Sequence, residues 1–404
     1  MKKKIVVISL VFILSFAQLE IVFAENKVDK YSYNLKNQQI PQNDILFDLK
    51  IRLFMLLGNF PSLSVCIIKN NTVVWYKGYG QAKFLQKPTI NTVFAIGSIS
   101  KSFLGTAMMQ LYEQGMFDLD DNVNNYLDFE VFNPKYPDVN VTFRMLLAHQ
   151  SSLTGIKPTL VDFNIFTRFL RYTDEYPYPL IKRMIHPCGD LYLSTVWKNY
   201  PPGSNASYSS LNFMLLEHLL EVISNLKFTE YCEEKIFSPL NMNNSSFYFK
   251  DFKKSQLATT YHNFFNIYFR IPNIGIPYAV GGIKCSIEDL SHYAIAHMNG
   301  GVYAANRILN EETIDLMHSI QYESTKNSSN KYGLGWVNFK KIAGLKFNGH
   351  TGHAPGGTSA LYINQSNDYS ILFSTNRFIF FSSPILMKAW EGLITYLSIK
   401  AMGL

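Results

Sequence analysis

Residues 97–104 read GSISKSFL, and the reading of the whole chain turns on whether Ser98 and Lys101 work together. Phe103, Leu104, Ala107, Met108, Leu111 and Tyr112 follow at helical spacing, and Gly115 stops the run. On a helix, positions three apart share a face, with Cβ atoms about 5–6 Å apart. A lysine so placed takes a proton from the serine if desolvation keeps it neutral part of the time. The positive end of the helix favours the alkoxide that results. The same letters also fit a plain helix cap followed by a solvated lysine, so the remainder of the sequence has to decide.

Upstream, Asn43-Asp44 caps a segment with Ile45, Leu46, Leu49, Leu53, Leu56 and Leu57 at helical spacing. LSVCIIKNNTVVWYKGYG follows, two β-rich runs around Lys69-Asn70-Asn71-Thr72, which is a hairpin pattern. Residues 116–275 read as helices and loops, with a strong helix over 211–225. After Gly281-Gly282 a helix is expected from about Ser286, with Glu288 and Asp289 in its first turn. The runs YGLGWVNF, GLKFNGHTG, TSALYINQ and YSILFSTN are strands, and a final helix spans about 384–402. That order predicts an α+β fold: one antiparallel sheet built from both chain ends, flanked by helices, with a mostly helical part (116–275) inserted.

The 404 residues carry 47% hydrophobic and 17% charged side chains, which excludes a disordered chain. The formal net charge is +7, and loss of residues 1–24 removes three lysines and Glu20, leaving +5. The remaining basic residues are scattered, so no nucleic-acid partner is expected. Lys2, Lys3 and Lys4, an apolar run from Ile5 and the Val22-Phe23-Ala24 site form a signal peptide over 1–24. Retained, that segment is an anchor, although Gln18 and Glu20 oppose a spanning helix. The protein is thus expected to be exported, periplasmic or secreted, with membrane contact only if the segment stays. Residues 25–42, which are polar, are expected to form a flexible lead-in. Cys66, Cys188, Cys232 and Cys285 allow two disulfides in three pairings, and Cys66, in an apolar strand, reads as a buried thiol. No metal spacing and no Gly-x-Ser-x-Gly occurs, and His149 and His218 read as structural. His350 and His353, three apart on a strand, point to opposite faces.

Acyl transfer needs a second proton handler and an edge strand whose N–H groups hold an oxyanion. PPGSNASYSS places Tyr208 just before a helix, and FNGHTGHAPGG places His350-Thr351-Gly352 on a strand. With these three motifs in order, residues 43–400 resemble the serine β-lactamase and penicillin-binding-protein superfamily. The resemblance is to the branch of class C β-lactamases, D-alanyl-D-alanine carboxypeptidases and related esterases. MLLAHQSSLTG, GGIKCSIEDL and EEKIFSPLNM match supporting segments in kind. The resemblance implies an α/β/α sandwich with a helical domain and a cleft between them. It implies Ser98 as the acylated nucleophile, Lys101 as its partner and Tyr208 as proton shuttle, with no metal or organic cofactor. His350 and Thr351 would face the substrate beside Gly352, and the His353 N–H would join the Ser98 N–H in the oxyanion hole.

Two positions depart from the pattern. Ser210 stands where the family has asparagine, and a hydroxyl is shorter than an amide that both donates and accepts. His350 stands where many members have a lysine, a permanent cation suited to a carboxylate. The expected function is a serine hydrolase acting through a Ser98 acyl-enzyme on D-amino-acid peptides or small esters. A β-lactamase proper, or a catalytically weak penicillin-binding-like protein, is the alternative. The sequence leaves the oligomeric state open.

Overall fold

Asp44 opens the first element, α1 (Ile45–Gly58): its carboxylate accepts the Phe47 N–H at 3.0 Å, and Asn59 closes the helix in the left-handed region. The computed structural model describes residues 44–154, 178, 180–264, 267–270, 278–322, 330–342, 344–378 and 384–404, so the expected signal peptide and lead-in lie outside the described residues. The helix is where the sequence predicts it, but its buried face is not the leucine stripe. Phe47, Ile51 and Met55 are inside, while Ile45 and Leu56 are 73% and 74% exposed. This helix has two apolar sides, set apart by Asp48 and Arg52 on one edge and Lys50 on the other, and period alone does not choose between them. Aromatic packing does: Phe47 stacks on Tyr396 at 4.9 Å and meets Trp75 edge-on at 5.2 Å.

Next come β1 (Ser62–Lys69) and β2 (Thr72–Gly80), joined through Asn70 and Asn71, both at positive φ as a tight hairpin turn requires. After β3 (Val93–Ala95) a single 3₁₀ turn, Gly97–Ile99, leads into α2 (Ser100–Glu113). Three short helices, α3 (Phe143–Leu147), α4 (Leu180–Ile185) and α6 (Phe228–Cys232), and one long, largely buried helix, α5 (Ser210–Ser224), follow in the chain. The described part of 116–275 is not all-helical. It also holds β4 (Ser245–Ser246), the hairpin β5 (Tyr261–Phe264) with β6 (Ile267–Arg270), and long loops. Strands of two to four residues are too short for a period-2 pattern to register.

The chain continues through β7 (Lys284–Ser286), α7 (Ile287–Met298), the hairpin β8 (Val302–Tyr303) and β9 (Asn306–Arg307), and α8 (Glu311–His318). Ser286 caps α7 through the Asp289 N–H, as expected. The C-terminal meander is β10 (Asn330–Tyr332), β11 (Val337–Ile342), β12 (Leu345–Ala354), β13 (Gly357–Asn364) and β14 (Tyr369–Thr375), followed by α9 (Pro384–Met402).

The main sheet runs β10-β11-β12-β13-β14-β1-β2, antiparallel at every pair. The two chain ends meet where β1 pairs β14, with Cys66 opposite Leu372. Every position of β13 and β14 is buried, so helices cover both faces. On one, Trp390 of α9 packs on Phe373 and donates its N–H to the Tyr362 hydroxyl at 3.1 Å. On the other, Cys66, Leu361 and Leu372 join the core containing Leu290 and Ala294 of α7 and the length of α2. A small sheet, β3-β7-β4, ties the segment before α2 to that before α7. All four cysteines are free, with Cys66, Cys232 and Cys285 buried and Cys188 exposed. No helix among the described residues is long and apolar enough to cross a membrane.

Candidate active site

The β3 strand delivers Gly97 at φ +54°, a left-handed turn that sets Ser98 in the 3₁₀ turn rather than in α2 itself. Ser100, between the two residues of interest, is structural. Its hydroxyl donates to the Gly97 carbonyl at 2.8 Å and accepts the Ile283 N–H at 3.1 Å. That leaves Ser98 and Lys101 on one face. Lys101 Nζ lies 3.0 Å from Ser98 Oγ and donates to the Val280 carbonyl at 2.6 Å. The lysine is fully buried, with its Nζ 5.3 Å from the Tyr208 ring centre and 5.9 Å from that of Phe213. Among the described residues no carboxylate pairs with it. Burial therefore acts unopposed and brings its pKa down from 10.5 to about 7.

The Val280 carbonyl belongs to the segment Tyr278–Gly282, which Glu217 of α5 holds by accepting the Ala279 N–H at 3.0 Å. Tyr208 comes from the loop leading into α5, where Ser209 caps the helix by accepting the Leu211 N–H. His149, at φ +58°, clamps this loop on both sides of the tyrosine. Its carbonyl accepts the Ser207 N–H at 2.8 Å, and its Nδ1 accepts the Ser209 N–H at 3.1 Å. The two rings lie 4.5 Å apart. Because Nδ1 accepts, the imidazole is neutral, and burial holds its pKa well below 6.5. Tyr208 is 37% exposed overall, but its hydroxyl end sits among protein atoms beside Ser98. Burial there raises the phenol above its usual 10, and the Ser98 contact opposes the rise.

The third wall is β12, which is not a sheet edge as the sequence suggested. It has neighbours on both sides, but β11 begins pairing at Val337 opposite Gly349, so positions 350–354 are open on that flank. Their backbone lies directly on the nucleophile turn. A methyl group on Gly352 would come 1.7 Å from the Ile96 carbonyl and 3.1 Å from the Ser98 nitrogen, and one on Gly97 would come 2.5 Å from the His353 nitrogen. Both glycines are required by this approach. His350 turns toward Tyr208, ring centres 6.0 Å apart, whereas His353 lies near Thr358 and Phe378. Thr351 and Gly352 pair with Ala360 and Ser359 of β13.

The structure thus brings Ser98, Lys101, Tyr208, His350, Gly352 and the His353 backbone together. Ser210 is the first residue of α5, half-buried, and its hydroxyl has no hydrogen-bond partner among the described residues. His218 stacks on Tyr178 at 4.7 Å away from these groups, and no metal-binding cluster occurs among the described residues. Sequence reasoning did not reach the Val280 carbonyl, Glu217 or Phe213. Its faint signals were the Gly281-Gly282 pair and a glutamate on the apolar α5 run. His149, read as structural, is so, but what it holds is Tyr208.

The sequence model of the family described as Beta-lactamase matches residues 47–385. The chain belongs to the Beta-lactamase family, a family of serine hydrolases. Among curated proteins it is 29% identical over 246 residues to Beta-lactamase-like protein 2 of Dictyostelium discoideum, covering 59% of this chain and 42% of that protein. It is 24% identical over 337 residues to Protein flp of Staphylococcus aureus, covering 79% and 60%. The chain therefore spans only about half the length of these relatives. The octameric penicillin-binding protein homologue from Pyrococcus abyssi superposes with a TM-score of 0.67 at 25% identity, over 86% of this chain and 77% of that one. The D-amino acid amidase from Ochrobactrum anthropi SV3 superposes at 0.68 and 18% identity, over 88% and 99%, a likeness of fold.

Proposed function

We propose that this protein is an exported serine hydrolase that cleaves an amide or ester through a Ser98 acyl-enzyme. The carrying observation is the Lys101 ammonium site: buried, unpaired by any described carboxylate, near pKa 7, and 3.0 Å from Ser98 Oγ. Neutral Lys101 removes the Ser98 proton as Oγ attacks the substrate carbonyl. The oxyanion is held by the Ser98 and His353 N–H groups. Tyr208, a phenol at neutral pH, protonates the leaving nitrogen or oxygen and recovers that proton from Lys101. The C–N or C–O bond breaks, leaving Ser98 esterified. Water then attacks the ester, gives its proton to the same pair and releases the acid, and Ser98 regains its hydrogen.

D-amino-acid peptides and amides, or small esters, are the substrate class, a reading supported by family membership and by neighbours named as amidase and penicillin-binding homologue. Residues 1–24 support export. The unpartnered Ser210 hydroxyl favours a second reading, a penicillin-binding-like protein that acylates but turns over slowly. Incubation with a fluorophosphonate and a fluorescent penicillin tests the nucleophile. Wild type should form a covalent adduct that Ser98→Ala abolishes and Lys101→Ala greatly slows. No Ser98-dependent adduct with either reagent would remove the proposal, and an adduct that persists for hours would favour the slow reading.

A further inference from the structure

His350 has a fixed polarity that its position alone does not reveal. Its Nδ1 lies 2.7 Å from the Thr351 carbonyl, and since a carbonyl only accepts, Nδ1 carries the ring hydrogen. The other nitrogen, Nε2, has no hydrogen-bond partner among the described residues. The residue is 3% exposed, and burial together with the Lys101 charge holds its pKa down to about 3, so it stays neutral. The titratable groups around it are Lys101, Tyr208, His149 and His353, and none of the described ones is a carboxylate. His149 and His353 are themselves kept neutral by burial. Beside the reacting serine, then, β12 offers a lone pair rather than a cation.

We propose that His350 Nε2 accepts a hydrogen bond from the substrate, so that the enzyme selects an uncharged N–H or O–H donor against β12 and rejects a free carboxylate there. This rests on the Ser98 hydrolase reading and narrows it to carboxamide-ended peptides, amides and hydroxylated esters. A carboxylate would set acceptor against acceptor in a poorly solvated place, leaving both unsatisfied. An amide N–H satisfies Nε2 and brings no charge. Specificity of this kind is steep, because the mismatched ligand strands a buried polar group of the site.

The test uses two peptides that differ at one group, acetyl-D-Ala-D-Ala with a free carboxylate and its C-terminal carboxamide. Each is measured for turnover and for protection of Ser98 from fluorophosphonate. The carboxamide should be preferred by at least about tenfold in kcat/KM or in protection. His350→Lys, which replaces the lone pair by a cation, should move the preference toward the carboxylate. His350→Gln, whose amide both accepts and donates, should shrink the carboxamide preference without reversing it, and serves if the lysine variant does not fold. Equal protection, no protection, or a preference for the carboxylate in wild type overturns the assignment of His350. Absence of Ser98 labelling in unprotected wild type instead removes the underlying hydrolase reading, so the two failures are separable.

Discussion

Replacing Lys101 by methionine should stabilise the protein below neutral pH while abolishing its activity. An ammonium that ordinarily keeps its proton to 10.5 is held to about 7 by burial. At about 1.4 kcal/mol per pH unit, that costs the folded state about 5 kcal/mol at pH 6, where both folded and unfolded chains carry the proton. Methionine fills a similar volume without charge, but it leaves the Val280 carbonyl without its 2.6 Å donor. Stranding that acceptor costs about 1–3 kcal/mol. The net gain at pH 6 is therefore about 2–4 kcal/mol. Above pH 7 the folded lysine is neutral while the unfolded one stays protonated, so wild-type stability rises with pH and the gap narrows by about 1.4 kcal/mol per unit. The two curves should cross near pH 9. Urea unfolding of both proteins at pH 6 and pH 9.5 reads this, because groups that do not couple to Lys101 cancel in the difference, leaving the lysine and the nearby His149 and His350. A variant no more stable than wild type at pH 6, or a gap that does not change with pH, would refute the claim that Lys101 is held near neutrality by burial.

Three further outcomes follow from the same geometry. The kcat/KM of wild type should rise as pH passes through about 7 and then hold level, since neutral Lys101 is the active form and the Tyr208 phenol keeps its proton beyond its usual range; a profile falling through pH 7 contradicts this. Gly352→Ala should cost about 3 kcal/mol or more, because a Cβ there meets the Ile96 carbonyl at 1.7 Å, and Ser98 labelling should fall with it. On α1, Leu49→Gln with Leu56→Gln should change stability by less than about 1 kcal/mol, whereas Ile51→Ala, fully buried, should cost about 2–5 kcal/mol. Equal losses in urea would mean that the leucine stripe is the buried face after all.

Much of the architecture was legible because each element carries its own local signal. The Asn70-Asn71 turn, the α5 run and the closing helix over 384–402 sit where short-range pattern put them. Short strands such as β4 and β7 were not seen, because two or three residues have no measurable period. The α1 face was misjudged for a related reason: the sequence supplies two apolar sides, and only the positions of Trp75 and Tyr396 decide between them.

The motif spacing by itself determined that Ser98 and Lys101 share a face, since three residues is a distance along one turn. It also set Tyr208 and the His350-Thr351-Gly352 strand in chain order. Tertiary structure alone decided that Lys101 is dry, that the Val280 carbonyl accepts from it, and that His149 grips the Tyr208 loop. It also decided which nitrogen of His350 is free. The Lys101 and His149 contacts join segments 179 and 60 residues apart, and even the His350–Thr351 bond, between neighbours, depends on how the folded strand turns the ring; desolvation depends on what packs around a side chain.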